Sequence, residues 1–384
     1  LTDTLTAEGI SETKMDNTTP LPRFDDHPAA WFGPDMAAHP GGWTWQLRAD
    51  QVRELNAAVQ HLDGSGRDIV TLTAVDARLD SLRQDMETLN QELLQGKGFK
   101  LIRGVPVEGY SRRQAAIAFW LLGAQLGIQC PQNAKGHLLG HVRDLGFDYG
   151  KPSARAYQTS ALLPFHCDTG GDVVALMCLR GGRFGGLSRV VSSVSLYNHL
   201  VEKNPDAVRT LMQPLYRDRR DEVPEGAHPW YRMPAFCIED GRLICSYSAS
   251  TVVKAQRFDD VPRLTLEQIK AMAAFDTAAL DPSLKLDMEF RPGDVQFLCN
   301  HVTLHSRTGF VDWDKAEKKR HLLRQWLACP NGPTLPSWFA QMQGLNAAGR
   351  PRGIVCPGAT PFAPLEPEDG GAGDSTKRVK EAAV

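Results

Sequence analysis

Through the first third of the chain, apolar residues recur at intervals of three and four. After about residue 136 they give way to short runs broken by Gly, Pro, Asp and Asn. The first pattern belongs to amphipathic helices and the second to short strands joined by turns. LRADQVRELNAAVQHL predicts a helix over residues 48–61 with Asp50 as candidate cap, and a second helix is predicted over 79–94, ending near Gly96. GKGFKLIRGVPV has the alternation and Gly/Pro boundaries of a strand, and RRQAAIAFWLLGAQLG reads as a strongly apolar helix ending at Gly127. Between about 136 and 328, VVALMCL, LSRVVSSVSLY, AFCIEDGRLICSYS, KLDMEFRPGDVQFLC and HLLRQWLACP read as strands at the spacing of a sandwich or jelly roll, with helical insertions at 195–203, 205–212 and 265–279. The expectation is a mainly β fold with flanking helices: an extended arm over 1–45, a single jelly-roll domain with a helical front over 46–364, and a polar, disordered tail over 365–384. Residues 1–14, ahead of Met15, are set aside as a leader.

Composition narrows the function classes. A chain of 384 residues that is 42% hydrophobic and 23% charged can bury a large core, and a net charge of -2 recruits neither nucleic acid nor an anionic membrane. The expected partner is a small molecule, with a homo-oligomer left open. The eight cysteines fall mostly inside apolar stretches, with no CxxC pair, and read as reduced, buried side chains of a cytoplasmic protein. No stretch approaches the ~20 apolar residues of a membrane-spanning helix.

Candidate chemistry centres on PFHCDTGGDVVALMCL. His166 and Asp168 are two residues apart, so on an extended strand both project from one face and can reach one metal. A third ligand comes from QFLCNHVTLHSRTGF, where two histidines, His301 and His305, are available. Two imidazoles and one carboxylate on one face of an octahedron suit ferrous iron and leave positions open for O2 and a bidentate cosubstrate. The usual cosubstrate for such iron is 2-oxoglutarate, whose far carboxylate needs a fixed cation. Arg320 and Arg324 in KKRHLLRQWL stand four apart on a strand-like run and share a face, and a guanidinium grips a carboxylate through two charge-assisted hydrogen bonds. The neighbouring Lys315, Lys318 and Lys319 read as a solvated face.

In order, PFHCD, GGRFGGLS, RPGDVQFLCNHVTLHSRTGF and KRHLLRQWL resemble the taurine dioxygenase-like (TauD/TfdA) family of Fe(II)/2-oxoglutarate-dependent oxygenases, over about residues 96–330. The resemblance implies a double-stranded β-helix (jelly roll) core with helices outside. It implies iron on His166, Asp168 and His305, and leaves His301, which stands where the family commonly has arginine, as a supporting histidine. It sets the family's Gly-Gly-x-Thr/Ser motif on Gly185, Gly186, Leu187 and Ser188, with Ser188 and Arg320 on the distal carboxylate of 2-oxoglutarate. Arg324 would meet the cosubstrate's other carboxylate or an anionic group of the substrate. Asp168, in place of a small residue, argues against a halogenase. Gln132, Asn133, Tyr157, Gln158 and Thr169 stand where relatives line the substrate pocket. Trp230 and Tyr231 are candidates for a lid, and His137, His141 and His228 read as ordinary loop residues. The implied reaction uses Fe(II), O2 and 2-oxoglutarate to hydroxylate an unactivated C–H bond of a small polar or anionic metabolite, such as an amino acid or small carboxylate, with release of succinate and CO2. Desaturation or ring closure would use the same iron site. A non-catalytic ligand-binding jelly roll and a metal-dependent hydrolase or isomerase of cupin type are the competing classes, and neither requires Arg320 and Ser188.

Overall fold

The computed structural model describes residues 19–147 and 155–367. Nine strands carry the architecture: β1 (Phe99–Arg103), β2 (Gly140–Val142), β3 (Leu163–His166), β4 (Val173–Arg180), β5 (Ser188–Ser192), β6 (Lys285–Met288), β7 (Val295–Cys299), β8 (Thr303–Arg307) and β9 (His321–Ala328). The larger sheet runs β1-β7-β4-β9, with β2 also paired to β9 and the short strands Thr44–Gln46 and Ile128–Gln129 at its two ends. The smaller sheet runs β6-β5-β8-β3. From β2 to β4 and again from β6 to β9 the chain alternates between the sheets.

Alternation along each strand decides what each face meets. In β4, Val173, Ala175, Met177 and Leu179 join a helical core, whereas Val174 turns inward to meet Val190 of β5 and Leu286 and Met288 of β6. A strand buried on both faces needs a continuous apolar run, which VVALMCL supplies. Trp326 of β9 and Leu298 of β7 join the same inner layer. The two sheets therefore face one another.

The front helices cover the outer face of the larger sheet. They are α1 (Ala49–Gly64), α2 (Asp80–Leu94) and α3 (Arg112–Ala124). Leu82, Met86, Leu89 and Leu93 form the buried stripe of α2, and each such side chain contributes roughly 1.5–3 kcal/mol when fully buried. Ser111 caps α3, its Oγ accepting from Gln114 N (3.2 Å) while Gln114 Oε1 accepts from Ser111 N (2.9 Å). The insertions α4 (Ser193–Lys203), α5 (Pro205–Leu211) and α6 (Leu266–Ala279) share a second core with Val191 and Leu304 on the outer face of the smaller sheet.

Several expectations are corrected. Asp50 does not cap α1; it lies in the first turn, and Gln51 Oε1 accepts from Arg48 N (3.0 Å). LSRVVSSVSLY is strand only as far as Ser192, whose Oγ accepts from Ser195 N (3.0 Å) and starts α4. Residues 19–45 are not simply an extended arm: they include a helix at Gly33–Ala38, and Trp31 and Trp43 are buried against Phe99 (ring centroids 4.9 and 5.8 Å). Two large indoles can leave water there because each N–H finds a carbonyl, Lys97 O and Met36 O respectively. Residues 1–18 of that arm, and 368–384 of the expected tail, lie outside the described residues. AFCIEDGRLICSYS, read as one strand, folds as a hairpin whose two-residue link Asp240-Gly241 has both φ angles positive (48° and 71°), the geometry its twist demands. All eight cysteines are free and seven are buried. Among the described residues no helix is long and apolar enough to cross a membrane.

Candidate functional site

His166 ends β3 and His305 is its cross-strand partner in β8. One ligand atom from each of His166, Asp168 and His305 lies within 4.8 Å of the other two, close enough to share an ion. His166 Nδ1 donates to Pro164 O (2.8 Å), which fixes the tautomer and turns the Nε2 lone pair to the site. Burial, reinforced by the neighbouring His166, pushes the His305 ring down to about 3, so it is held in the neutral form that binds metals, and its buried Nδ1 has no hydrogen-bond partner.

Asp168 is held from two sides. Its backbone N–H donates to Asn300 Oδ1 (2.9 Å), while Asn300 Nδ2 donates to the carbonyls of Asp168 and Gly171 (3.1 Å to the latter). Its carboxylate Oδ2 accepts from Trp326 Nε1 (2.7 Å) and from Arg324 Nη1 (3.2 Å), while Oδ1 accepts a longer contact from Arg324 Nη1 (3.5 Å) and lies 3.6 Å from His166 Nε2. Burial opposes its ionisation, but the charge of Arg324 outweighs that and holds it well below the usual carboxylate range. The arrangement offers two imidazole nitrogens and one carboxylate oxygen, a donor set suited to a divalent transition metal, with a cavity beside them.

Arg320, Leu322, Arg324 and Trp326 are alternate residues on β9 or just before it, and all four line that cavity. Arg320 is buried, its guanidinium lies over the Phe310 ring (5.2 Å), and its Nη1 has no hydrogen-bond partner; burial pushes it down to about 10. An orphaned buried guanidinium is costly in isolation and fits an anionic ligand. Ser188 lines the same cavity. Gly185 (φ 74°) and Gly186 (φ 72°) precede it because a Cβ at Gly185 would stand 2.4 Å from Gly309 O, and one at Gly186 would stand 3.0 Å from Arg320 Nε.

Arg324 is more committed than its sequence suggested. Besides Asp168, its Nε donates to Gln132 Oε1 (2.7 Å), and its guanidinium is flanked by the rings of Tyr157 (4.6 Å) and Trp326 (4.9 Å). Gln132, with Nε2 donating to Arg324 O (2.9 Å) and Leu138 O (3.0 Å), thus positions Arg324. Of the expected pocket residues, Tyr157 and Thr169 line the cavity beside the metal-ligating atoms. Gln132, Asn133 and Gln158 line an adjoining cavity behind Arg324 and Tyr157.

Other expectations shift. Trp230 and Tyr231 are not a free lid: they belong to strand Trp230–Met233, paired with Leu215–Asp218, where Tyr231 lines the cavity and Trp230 Nε1 donates to Asp260 Oδ2 (3.0 Å). His141 is no loop residue but a buried member of β2. Arg112 Nη1 donates to His321 Nδ1 (3.1 Å), so the other nitrogen of His321 donates to His141 Nδ1 (2.8 Å), and His141 Nε2 donates to Pro364 O (2.9 Å). Sequence reasoning missed Arg307, Arg155, Arg219, Arg220, Glu222 and the run Ser248–Thr251, all on the cavity wall. Only Arg307 carried a readable signal, since it stands two residues after His305 on the same strand face.

A family model described as taurine catabolism dioxygenase TauD, TfdA family matches residues 60–326. FR-33289 synthase of Streptomyces rubellomurinus is 28% identical over 317 residues, 80% of this chain and 92% of that protein. The taurine hydroxylase-like protein SAT17 of Stachybotrys chartarum is 30% identical over 307 residues, 77% of each chain. Among solved structures, asparagine oxygenase in complex with Fe(II), 3-hydroxyasparagine and succinate superposes with a TM-score of 0.58 at 16% identity, covering 74% of this chain and 93% of that one, a likeness of fold.

Proposed function

The chain belongs to the taurine catabolism dioxygenase TauD, TfdA family, and from that premise we propose an Fe(II)- and 2-oxoglutarate-dependent dioxygenase that hydroxylates an unactivated C–H bond of a small polar or anionic metabolite. The observation that carries this reading is the meeting, in one cavity, of a three-donor set with an open side and an orphaned buried guanidinium next to a serine. The strand order β6-β5-β8-β3 facing β1-β7-β4-β9 supports a double-stranded β-helix core. His166, Asp168 and His305 hold the iron. Ser188 and Arg320 take the far carboxylate of 2-oxoglutarate, and Arg324, fixed by Gln132 beside Asp168, faces the carboxylate next to the keto group. When bound, iron and cosubstrate supply the oxidising power, O2 being consumed as 2-oxoglutarate is decarboxylated to succinate and CO2.

The remaining steps belong to the protein. Trp326 and Arg324 hold the Asp168 carboxylate, Trp326 on Oδ2 and Arg324 mainly on Oδ2, and so would fix its orientation beside a bound metal. Tyr157 and Thr169 border the space where the substrate C–H bond must lie, and the wall carrying Arg155, Arg220 and Ser250 offers polar groups to orient a small polar or anionic molecule. Free, mostly buried cysteines accord with a reducing, cytoplasmic setting.

The test is anaerobic titration of the metal-free protein with Fe(II) and 2-oxoglutarate, following the weak visible charge-transfer band of a bidentate keto acid on ferrous iron. The band is expected with the wild type and absent in His305→Ala. Iron binding without a band would overturn the assignment and favour a structural or hydrolytic metal site.

A further inference from the structure

Arg307 is two residues beyond His305 on β8, so both project to the interior face, and the register of β8 on β5 sets Arg307 opposite Ser188. Its side chain is buried and lines the same cavity as Arg320. Nη2 donates to Thr159 O (3.0 Å) and to Ala161 O, but Nε and Nη1 are buried with no hydrogen-bond partner. The Phe310 ring lies near both guanidiniums, 4.7 Å from that of Arg307 and 5.2 Å from that of Arg320. Two like charges, each with unsatisfied donors, are thus held against one ring on the wall of one cavity. Such a pair is unfavourable alone and becomes favourable around one anion that both can reach.

We propose that Arg307 and Arg320 together form a two-guanidinium clamp, with Ser188 between them, for the distal carboxylate of the 2-oxo acid, making Arg307 a cosubstrate-binding and specificity-determining residue. The inference rests on the 2-oxoglutarate reading above and extends it. One arginine satisfies a carboxylate through a single fork; two offer it more donors than it has lone pairs in plane, and so select strongly for a 2-oxo acid carrying a second carboxylate.

The experiment compares two probes under anaerobic conditions with Fe(II) bound, 2-oxoglutarate and 2-oxobutyrate, the latter lacking a distal carboxylate. The charge-transfer band reports the affinity of each. Arg307→Gln is expected to weaken 2-oxoglutarate by roughly 10–100-fold, the loss of charge-assisted hydrogen bonds, while 2-oxobutyrate changes by less than about threefold. Arg307→Lys keeps a cation and should give a smaller loss confined to 2-oxoglutarate; it carries the comparison if the Gln variant does not fold. Unchanged 2-oxoglutarate affinity, or an equal loss for both acids, overturns the clamp, the second outcome reducing Arg307 to a support for the Thr159 and Ala161 carbonyls. A wild type that forms the band with neither acid overturns the parent reading, and the clamp with it.

Discussion

Asp168 and Asp172 lie four residues apart on one segment, and His301 and His305 lie four apart on another, so the two segments offer two Asp/His pairs of the same chemistry. Their surroundings differ. In the pair Asp172–His301 every carboxylate oxygen is occupied: Oδ1 meets His301 Nε2 (2.8 Å) and Arg350 Nη2, and Oδ2 accepts from Arg350 Nε (3.0 Å) and Cys329 N (2.8 Å). The side chains are 0% and 2% exposed. In the pair Asp168–His305, Asp168 Oδ1 has only the long contact from Arg324 (3.5 Å), His305 Nδ1 has no hydrogen-bond partner, and a cavity stands beside them. A candidate metal site and a sealed Asp/His pair are thus built from the same residue types, and what separates them is whether the protein itself supplies every partner.

The largest effect expected breaks the comparison on its open side. His305→Ala should abolish iron-dependent succinate formation while leaving the melting temperature of the metal-free protein close to that of the wild type, measured by coupled assay and calorimetry. On the closed side the reverse holds: Asp172→Asn strands the buried Arg350 charge and should destabilise the fold by about 3–5 kcal/mol in denaturant titration. A loss of iron binding without a loss of stability there would mean that the closed pair is part of the metal site. Trp326→Phe sharpens the contrast, because it removes the indole N–H that holds Asp168 Oδ2 while keeping an aromatic ring in the inner layer. It should weaken Fe(II) affinity by about 10–100-fold with an unaltered fold. The smallest effect is in the acid limb. Burial opposes ionisation of Asp172, but His301 and Arg350 prevail and lower its folded value below the ordinary carboxylate value. Its contribution is therefore fully present above about pH 3.9 and is lost as pH falls through the depressed folded value. The Asp172→Asn variant should show a flatter stability profile below about pH 4 than the wild type.

Much of this organisation is legible along the chain. The helices at 49–64, 80–94, 112–124 and 266–279 announce themselves by periodicity, and VVALMCL and HLLRQWLA by their largely apolar character. The spacing of His166 and Asp168 placed both at one site, and the even spacing of Arg320 and Arg324 placed both on the cavity face. Other features were not legible because their cause is remote in sequence. Arg324 is tied to Gln132, 192 residues away, and to Asp168, 156 residues away. The arm tryptophans are buried only because Phe99 and Lys97 receive them. Ser193–Tyr197 is β-rich in composition yet helical, since Ser192 caps a helix that the smaller sheet buries.

By itself, then, the sequence determined the periodicities, the turns and caps, and which donors share a strand face, because those depend on backbone geometry over a few residues. The tertiary structure decided which Asp and which His stay open to a metal and which are sealed. It also decided which arginines are left with unsatisfied donors in a closed cavity. The physical reason is that the state of a buried charge is set by the partners brought to it from elsewhere in the chain. For Asp172 the partner is Arg350, 178 residues on, whereas Arg307 and Arg320 are brought together by Phe310 and leave their remaining donors to an anion.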